Sequence, residues 1–250
     1  MSNSMKPTDI GENKTGIATS PLGFETFRKV QARNEMPDTD ALDEMRLSYC
    51  TESDPVGTMP SPIKLKGIVK STVAAVKGES AAVLLDKLGE RLAFERAGVR
   101  LYDALLIKLK ASHTHDESLA ADEIEDIRDD ELRHAGILAA AIQQLGADPT
   151  AVTPCADIVG VIGIGFAQVL TDPKTTLTQC LGTMLQAEVA DLAGWELLIE
   201  LADELGHEEL AEQCRECADD EDRHDSKVRE WLRTAVLGQA DVSEDPQSTH

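Results

Sequence analysis

The sequence predicts an all-α protein built on a four-helix bundle, with a long crossover between the second and third helices. Aromatic residues make up only 3% of its 250 residues, whereas β-strands favour aromatic and β-branched side chains. Four segments of roughly 30 residues each carry apolar side chains at spacings of three and four, the period of a helix that faces a core. Glycines mark three of the predicted helix ends. These observations together favour a helical bundle over a sandwich or barrel.

The N-terminal region differs in composition from the rest of the chain. Up to about residue 62 it is polar, rich in turn-forming residues and without sustained periodicity, which predicts a largely flexible extension. Lys64–Lys77 is a short basic amphipathic stretch, for which a helix packed on the main body and a membrane or partner contact both remain open. We therefore expect an extension over residues 1–78, a bundle over 79–238 and a polar tail over 239–250.

The first two long segments have recognisable ends. The first is predicted from Ser80 to Ala111. The second begins at Ser118, a residue type that favours the N-cap, and ends at Gly146, a good residue for the position after a helix.

The last two segments follow a crossover. The third is predicted to open with Asp172 as N-cap and Pro173 as the first helical residue, and to stop at Gly206. The fourth runs from Glu208 to Gly238. In the crossover, residues 158–166 (IVGVIGIGF) are predicted to form a buried cover over the bundle, with membrane contact as the alternative.

Charge and cysteine content exclude several protein classes. The chain has 24 Lys and Arg against 46 Asp and Glu, a net charge of −22, which argues against nucleic acid or anionic membranes as partners. The longest uncharged apolar run, Ile158–Leu170, is shorter than the roughly 20 residues that a spanning helix needs, so no membrane span is expected. Five scattered cysteines and no visible secretory signal predict a cytoplasmic protein.

Each helical seam is apolar except near its middle, where a glutamate occurs. His134 and His224 follow the second and fourth of these glutamates by three residues, so they share a helix face with them. Burying an ionised carboxylate without a partner costs several kcal/mol, so positive charge must lie among them. Oxygen-rich ligation with one imidazole per metal suits iron or manganese. The seam glutamates are Glu95, Glu131, Glu188 and Glu221.

A repeat strengthens the prediction of a metal site. The motif DDExRH occurs at Asp129–His134 and again at Asp219–His224. Each copy is preceded in the previous helix by a seam glutamate, and each of those glutamates is followed seven residues later by an aromatic residue, Tyr102 or Trp195. The chain therefore consists of two similar helical hairpins, which would pair with approximate twofold symmetry.

With these motifs, residues 80–238 resemble the ferritin-like superfamily of di-iron carboxylate proteins, especially its rubrerythrin and bacterioferritin branch. The resemblance implies a ferritin-like bundle whose crossover is Ala147–Thr171. It also implies two bound iron ions, with manganese permitted by the same ligands. The two glutamates outside the Glu-x-x-His motifs, Glu95 and Glu188, which we call the outer glutamates, would be mostly terminal ligands. Those of the two motifs would bridge the metals. The implied metal ligands are Glu95, Glu131, His134, Glu188, Glu221 and His224.

The expected function is a di-iron oxidoreductase of rubrerythrin-like peroxidase or ferroxidase type, which reacts with peroxide or O₂. A separate protein would supply electrons, because the two Cys-x-x-Cys pairs of a rubredoxin-like module are missing. An iron-binding or storage protein and a manganese catalase-like enzyme are alternatives, although no fifth helix of a ferritin cage is visible. A metal-free helical scaffold is least favoured, and a homodimer is one option for assembly.

Several side chains near the predicted ligands have two open roles. Tyr102 is a candidate hydrogen-bond donor to a ligand or radical relay, as in ferritin-like relatives, with plain packing the alternative. Asp191 is a candidate hydrogen-bond acceptor near the ligands or an alternative metal ligand, but we favour Leu192 in its place on the seam of the third helix. Gly98 is expected to leave space near the metals for a small oxidant.

The repeated motif also contains residues outside the ligand set. Asp130 and Asp220 either accept hydrogen bonds from the ligand histidines of a neighbouring helix or are solvated. Arg133 and Arg223 are expected to pair with these two acids on the bundle surface. In the fourth helix, Cys214 and Cys217 are expected to be small core residues, with a redox role as the alternative.

Overall fold

A computed structural model of the chain describes residues 25–26, 28–29, 40–53, 79–112 and 120–240. The chain forms two compact units, Met1–Asp54 and Pro55–His250. In the first unit, helix α1 spans Asp40–Glu52 and buries none of its residues. This helix is a correction to the sequence prediction, which expected no regular structure there because the segment lacks an apolar face. The basic stretch 64–77 lies outside the described residues.

The second unit contains a four-helix bundle, as predicted. The helices of this unit are α2 (Glu79–Ala111), α3 (Ala121–Gln144), α4 (Pro154–Thr171), α5 (Leu177–Glu204) and α6 (Glu208–Gln239). The hairpin of α2 and α3 meets the hairpin of α5 and α6 through contacts between α2 and α5 and between α3 and α6. Helix α4 is the long crossover between the hairpins and packs on α2 and α5. No strand occurs in the part of the chain that the structure describes.

Two of the predicted glycine stops are confirmed. Gly146 follows α3 with a φ of 79°, and Gly206 follows α5 with a φ of 75°. Side chains other than glycine rarely adopt this left-handed conformation, which lets the chain leave the helix and return antiparallel. Both hairpins therefore turn at a glycine.

The predicted start of the third bundle helix is wrong. Asp172 ends α4, and its carboxylate accepts a hydrogen bond from the Lys174 main-chain N–H at 2.8 Å, so Pro173 lies in a turn. Helix α5 begins after Thr176, which forms a reciprocal capping box with Gln179. Local side-chain hydrogen bonds in the turn thus displace the N-cap by four residues, from the predicted Asp172 to Thr176.

The predicted start of α3 also differs. The helix begins after Ala120, whose side chain makes no capping hydrogen bond. Ser118, the predicted N-cap, lies outside the described residues.

The crossover helix α4 is only partly a buried cover. Ala156 and Leu170 are buried against the bundle, and Phe166 packs on the same core. The outer face is apolar but exposed, because the crossover contacts the bundle along one face only; its large side chains are Ile158, Val161, Ile162 and Ile164. By length and composition alone, α4 would also be long and apolar enough to cross a membrane.

The bundle core consists of two apolar clusters that flank a polar layer. One cluster includes Leu88, Leu138 and Trp195, and the other includes Leu105 and Met184. Between them each bundle helix contributes buried ionisable side chains at mid-height. These are Arg91, Glu95, Glu131, His134, Glu188, Asp191, Glu221 and His224.

Candidate metal centre

The structure brings all six predicted ligand residues together at the centre of the bundle. None of them exposes more than 2% of its surface. Ligand atoms of Glu131, Glu188, Glu221 and His224 lie within 4.8 Å of one another, and we call this group the His224 position. The same limit holds for Glu95, His134 and Glu221, which we call the His134 position. The two positions share Glu221, so the ligand set is suited to two neighbouring cations.

Each of the two clustered histidines is oriented by an aspartate of the opposite hairpin. The Nε2 atom of His134 lies 3.2 Å from Oδ2 of Asp220, and that of His224 lies 3.2 Å from Oδ2 of Asp130. If Nε2 donates these hydrogen bonds, the unprotonated Nδ1 of each ring faces the glutamates with its lone pair. Both aspartates therefore lie where they accept hydrogen bonds from the histidines, which is one of the two roles that the sequence left open.

The arginines of the two DDExRH motifs pair with the same aspartates, as predicted. Arg133 contacts Asp130 at 2.9 Å and also bonds to Asp220. Arg223 bonds to Asp220 at the bundle surface. The two motifs therefore form one connected network that fixes the aspartates beneath the histidine rings.

Two buried aromatic residues hold the outer glutamates. The Tyr102 hydroxyl donates to Oε1 of Glu188 at 2.6 Å, and the Trp195 indole N–H donates to Oε1 of Glu95 at 2.9 Å. Each aromatic residue comes seven residues after the outer glutamate of its own helix and bonds to that of the other hairpin. The approximate twofold symmetry of the sequence thus reappears in the hydrogen bonds.

The inward-facing atoms of this cluster lack hydrogen-bond partners. His134 Nδ1 and Glu221 Oε1 lie 2.8 Å apart and form an ion pair when the imidazole is protonated, but neither atom has a hydrogen-bond partner when Nδ1 is unprotonated. Buried polar atoms are nearly always paired in folded proteins, so a group of orphans converging on one point indicates a missing partner. The donor set of carboxylates and imidazole fits iron or manganese. The orphaned ligand atoms are Glu95 Oε2, Glu131 Oε2, His134 Nδ1, Glu188 Oε2 and Glu221 Oε1.

The pKa values of Glu131 and Glu188 reflect the same lack of positive charge, whereas hydrogen bonds from His134 and His224 outweigh burial and lower the pKa of Glu221. Burial, followed by the Glu95 carboxylate, raises the pKa of Glu131 well above its ordinary value. Burial and the Glu221 carboxylate raise the pKa of Glu188 to about 8. Without cations, the cluster must therefore retain protons near neutral pH, and bound metal ions would displace them.

The pKa of His134, at the other position, is also raised, which for an imidazole favours the charged form. Burial lowers the pKa of His134, but interactions with the side chains of Cys217, Glu221 and Glu95 outweigh it and raise the pKa to about 12. In the absence of metal this imidazole would itself carry the missing positive charge. A metal ion at Nδ1 would replace that proton.

The structure reveals an ion pair that the sequence did not predict. Asp191, not Leu192, is buried on the seam, and it bonds to the buried Arg91 of α2. Arg91 lies four residues before Glu95 and so on the same helix face, which was the available signal. Burial and Glu95 raise the pKa of Asp191, whereas Arg91 opposes this effect.

The space expected beside Gly98 is already occupied. A Cβ atom at this position would overlap the Glu131 carboxylate, with the Glu131 Cδ only 2.7 Å away. Gly98 therefore makes room for a ligand of the neighbouring helix and not for an oxidant.

Cys214 and Cys217 are fully buried in the apolar cluster around Trp195. Burial raises the pKa of the Cys214 thiol to about 12, so it stays protonated. This environment fits the predicted role as small core residues.

Comparisons with known proteins agree with this architecture. A family model described as a domain of unknown function (DUF892) matches residues 82–241. One solved structure is similar, with a TM-score of 0.50 and 21% sequence identity; it is described as "ferritin like, diiron-carboxylate proteins from Bacillus anthracis str. Ames". The match covers 62% of this chain and 99% of that chain. No curated protein matches the sequence. At this identity the likeness shows the ferritin-like fold, and the buried carboxylate and histidine cluster could bind metal.

Proposed function

Because the chain belongs to the family described as a domain of unknown function (DUF892) and carries a buried carboxylate and histidine cluster, we propose that it is a di-iron oxidoreductase. It acts on peroxide or O₂ in the manner of rubrerythrin-like peroxidases or of ferroxidases. The observation that carries the proposal is the set of inward-facing ligand atoms without hydrogen-bond partners at mid-height of the bundle.

The ligand roles follow from the positions of the glutamates. Glu95 and Glu188 would each hold metal at one position only, and each is oriented by one aromatic donor from the other hairpin. Glu131 and Glu221 would contribute to both positions, because Glu221 belongs to each and a Glu131 oxygen also lies within 4.8 Å of oxygens of Glu95 and Glu221. Two iron ions bound here would cycle between the ferrous and ferric states and so supply the two electrons that reduce peroxide.

The protein's own residues shield the site from solvent and orient one of its glutamates. The apolar clusters above and below the polar layer exclude water and bulky substrates from the site. Tyr102 restrains the Glu188 carboxylate through a single hydrogen bond to Oε1, which leaves Oε2 available to bind a metal ion. Burial and the Glu188 charge raise the pKa of the Tyr102 hydroxyl, so it stays protonated as a donor.

A separate electron donor completes the cycle in this proposal. The five cysteines are free, which fits a reducing cytoplasmic location. A manganese catalase-like enzyme is the second candidate, since the oxygen-rich ligand set also suits manganese. It would disproportionate peroxide without any external electron donor. An iron-storage role would instead require a large assembly and mineralised iron.

The test combines metal analysis with rapid kinetics. Protein purified without added metal is assayed for bound iron and manganese, then loaded with ferrous iron and mixed with peroxide or O₂ in a stopped-flow spectrometer. We expect two irons per chain and oxidation by at least one of the two oxidants. Glu131→Ala should lose this stoichiometry, whereas the exposed Glu125→Ala on the same helix should retain it. Two tightly bound irons in Glu131→Ala would overturn the proposal.

A further inference from the structure

A buried ion pair makes the two metal positions unequal. Asp191 and Arg91 expose only 2% and 4% of their surfaces. An Asp191 carboxylate oxygen lies within 4.8 Å of oxygens of Glu95, Glu131 and Glu221, so a fifth carboxylate borders the His134 position. The residue at the same offset in the other hairpin is Gly98, three positions after Glu95 as Asp191 is three after Glu188. The additional carboxylate therefore lies beside the His134 position and has no counterpart at the equivalent place in the other hairpin.

Arg91 occupies a slot that fits a guanidinium group. Its Cζ lies 4.5 Å from the centre of the Phe94 ring. On another side, a Cβ atom at Gly194 would lie within 2.6 Å of Nη1 and 2.7 Å of Nε, so only glycine leaves room. Nη1 also donates to the main-chain oxygen of Asp191 at 3.1 Å, in addition to its bond with the carboxylate. The arginine is thus fixed by packing and by two contacts with one residue.

The charges of the polar layer balance only if this pair is counted together. The four seam glutamates supply four negative charges, which two divalent cations neutralise. Asp191 alone would add a fifth negative charge, and Arg91 removes it again. A buried charge without compensation is costly, so the pair has a defined electrostatic task beside the cluster.

We propose that Arg91 keeps Asp191 out of metal coordination and sets the net charge around the His134 position to the value that matches a divalent ion. Both are positioning residues that act through Glu95 and Glu221, whose oxygens lie within 4.8 Å of the Asp191 carboxylate. The proposal rests on the proposed function in one respect, because it requires that two metal positions exist.

A double-mutant cycle tests this proposal by metal titration of the full-length, metal-free protein. The probe is Co²⁺, whose visible absorption reports both occupancy and coordination number. Arg91→Met leaves the Asp191 charge uncompensated, so Co²⁺ should bind at least about tenfold more tightly at one of the two positions. Asp191→Asn leaves Arg91 unpaired and should weaken binding by at least about tenfold. The electrically neutral double variant should lie within about threefold of wild type, with an unchanged cobalt spectrum.

The outcomes separate the proposal from a direct ligand role. If Asp191 coordinates metal, the double variant will bind as weakly as Asp191→Asn and its cobalt spectrum will change, which overturns the proposal. Arg91→Lys preserves the charge and should bind like wild type. Circular dichroism checks the fold, and if either single variant unfolds, the double variant and Arg91→Lys decide alone. Wild-type protein that binds fewer than two cobalt ions would instead contradict the proposed function.

Discussion

Asp220 on α6 orients His134 on α3 across the bundle, with Oδ2 of the aspartate 3.2 Å from Nε2 of the imidazole. The contact joins the first DDExRH motif to the second, and Asp130 repeats it with His224. The repeated acidic residue before each motif glutamate therefore has a structural explanation. It fixes the histidine that belongs to the other copy of the motif.

Removing this orientation should weaken metal binding without removing a ligand. Asp220→Asn is expected to lower the metal affinity by about 10- to 100-fold, because the ring loses its charged acceptor. Isothermal titration with Mn²⁺ measures the effect, and Asp222→Asn, an exposed neighbour on the same helix, is the matched control. Equal affinities for the two variants would contradict the assigned role.

The Tyr102 hydroxyl should contribute to stability as well as to ligand geometry. Tyr102→Phe removes the donor to Glu188 and is expected to lower the free energy of unfolding of the metal-free protein by about 1–3 kcal/mol. Urea denaturation followed by circular dichroism measures this change. An unfolding free energy equal to that of wild type would show that the hydrogen bond at 2.6 Å is not formed in solution.

Gly98 should be intolerant of a methyl group. Gly98→Ala would push a Cβ atom into the Glu131 carboxylate, so we expect displacement of that ligand and loss of stoichiometric two-metal binding. Gly136→Ala on α3 is the control, because a Cβ there meets nothing within 4 Å, and it should stabilise the helix by up to about 1 kcal/mol. Retention of two tightly bound metals in Gly98→Ala would refute the steric argument.

Stability should depend on pH in opposite ways with and without metal. The pKa of Glu188 rises from 4.5 to about 8 on folding, so the folded metal-free protein holds a proton that the unfolded chain releases. Its contribution to stability is complete below pH 4.5 and declines as pH rises through about 8. Bound metal displaces this proton, so the metal-bound protein should instead gain stability as pH rises. Thermal unfolding at pH 6 and pH 8.5, in chelator and in Mn²⁺, measures both dependences. Metal-free protein that gains stability over this interval would contradict the raised pKa of Glu188.

The sequence alone predicted the bundle and all six residues that meet at its centre. Helical periodicity identifies the buried face, and a glutamate on that face, such as Glu95, violates the apolar pattern strongly enough to be noticed. The Arg91–Asp191 pair escaped prediction because its members are 100 positions apart, Leu192 competed with Asp191 for the seam, and Arg91 resembles an ordinary surface charge. The helix start at Thr176 was missed because the competing turn at Asp172 carries equally good capping residues.

The most direct test of the central claim is the metal content of the full-length protein after reconstitution with ferrous iron under anaerobic conditions. The orphaned ligand atoms at mid-height of the bundle lead us to expect two iron ions per chain in wild type. The Glu131→Ala variant should bind fewer than two, with its helical circular dichroism unchanged. Wild-type protein that is folded yet binds no iron, or a variant that still binds two irons tightly, would contradict the account.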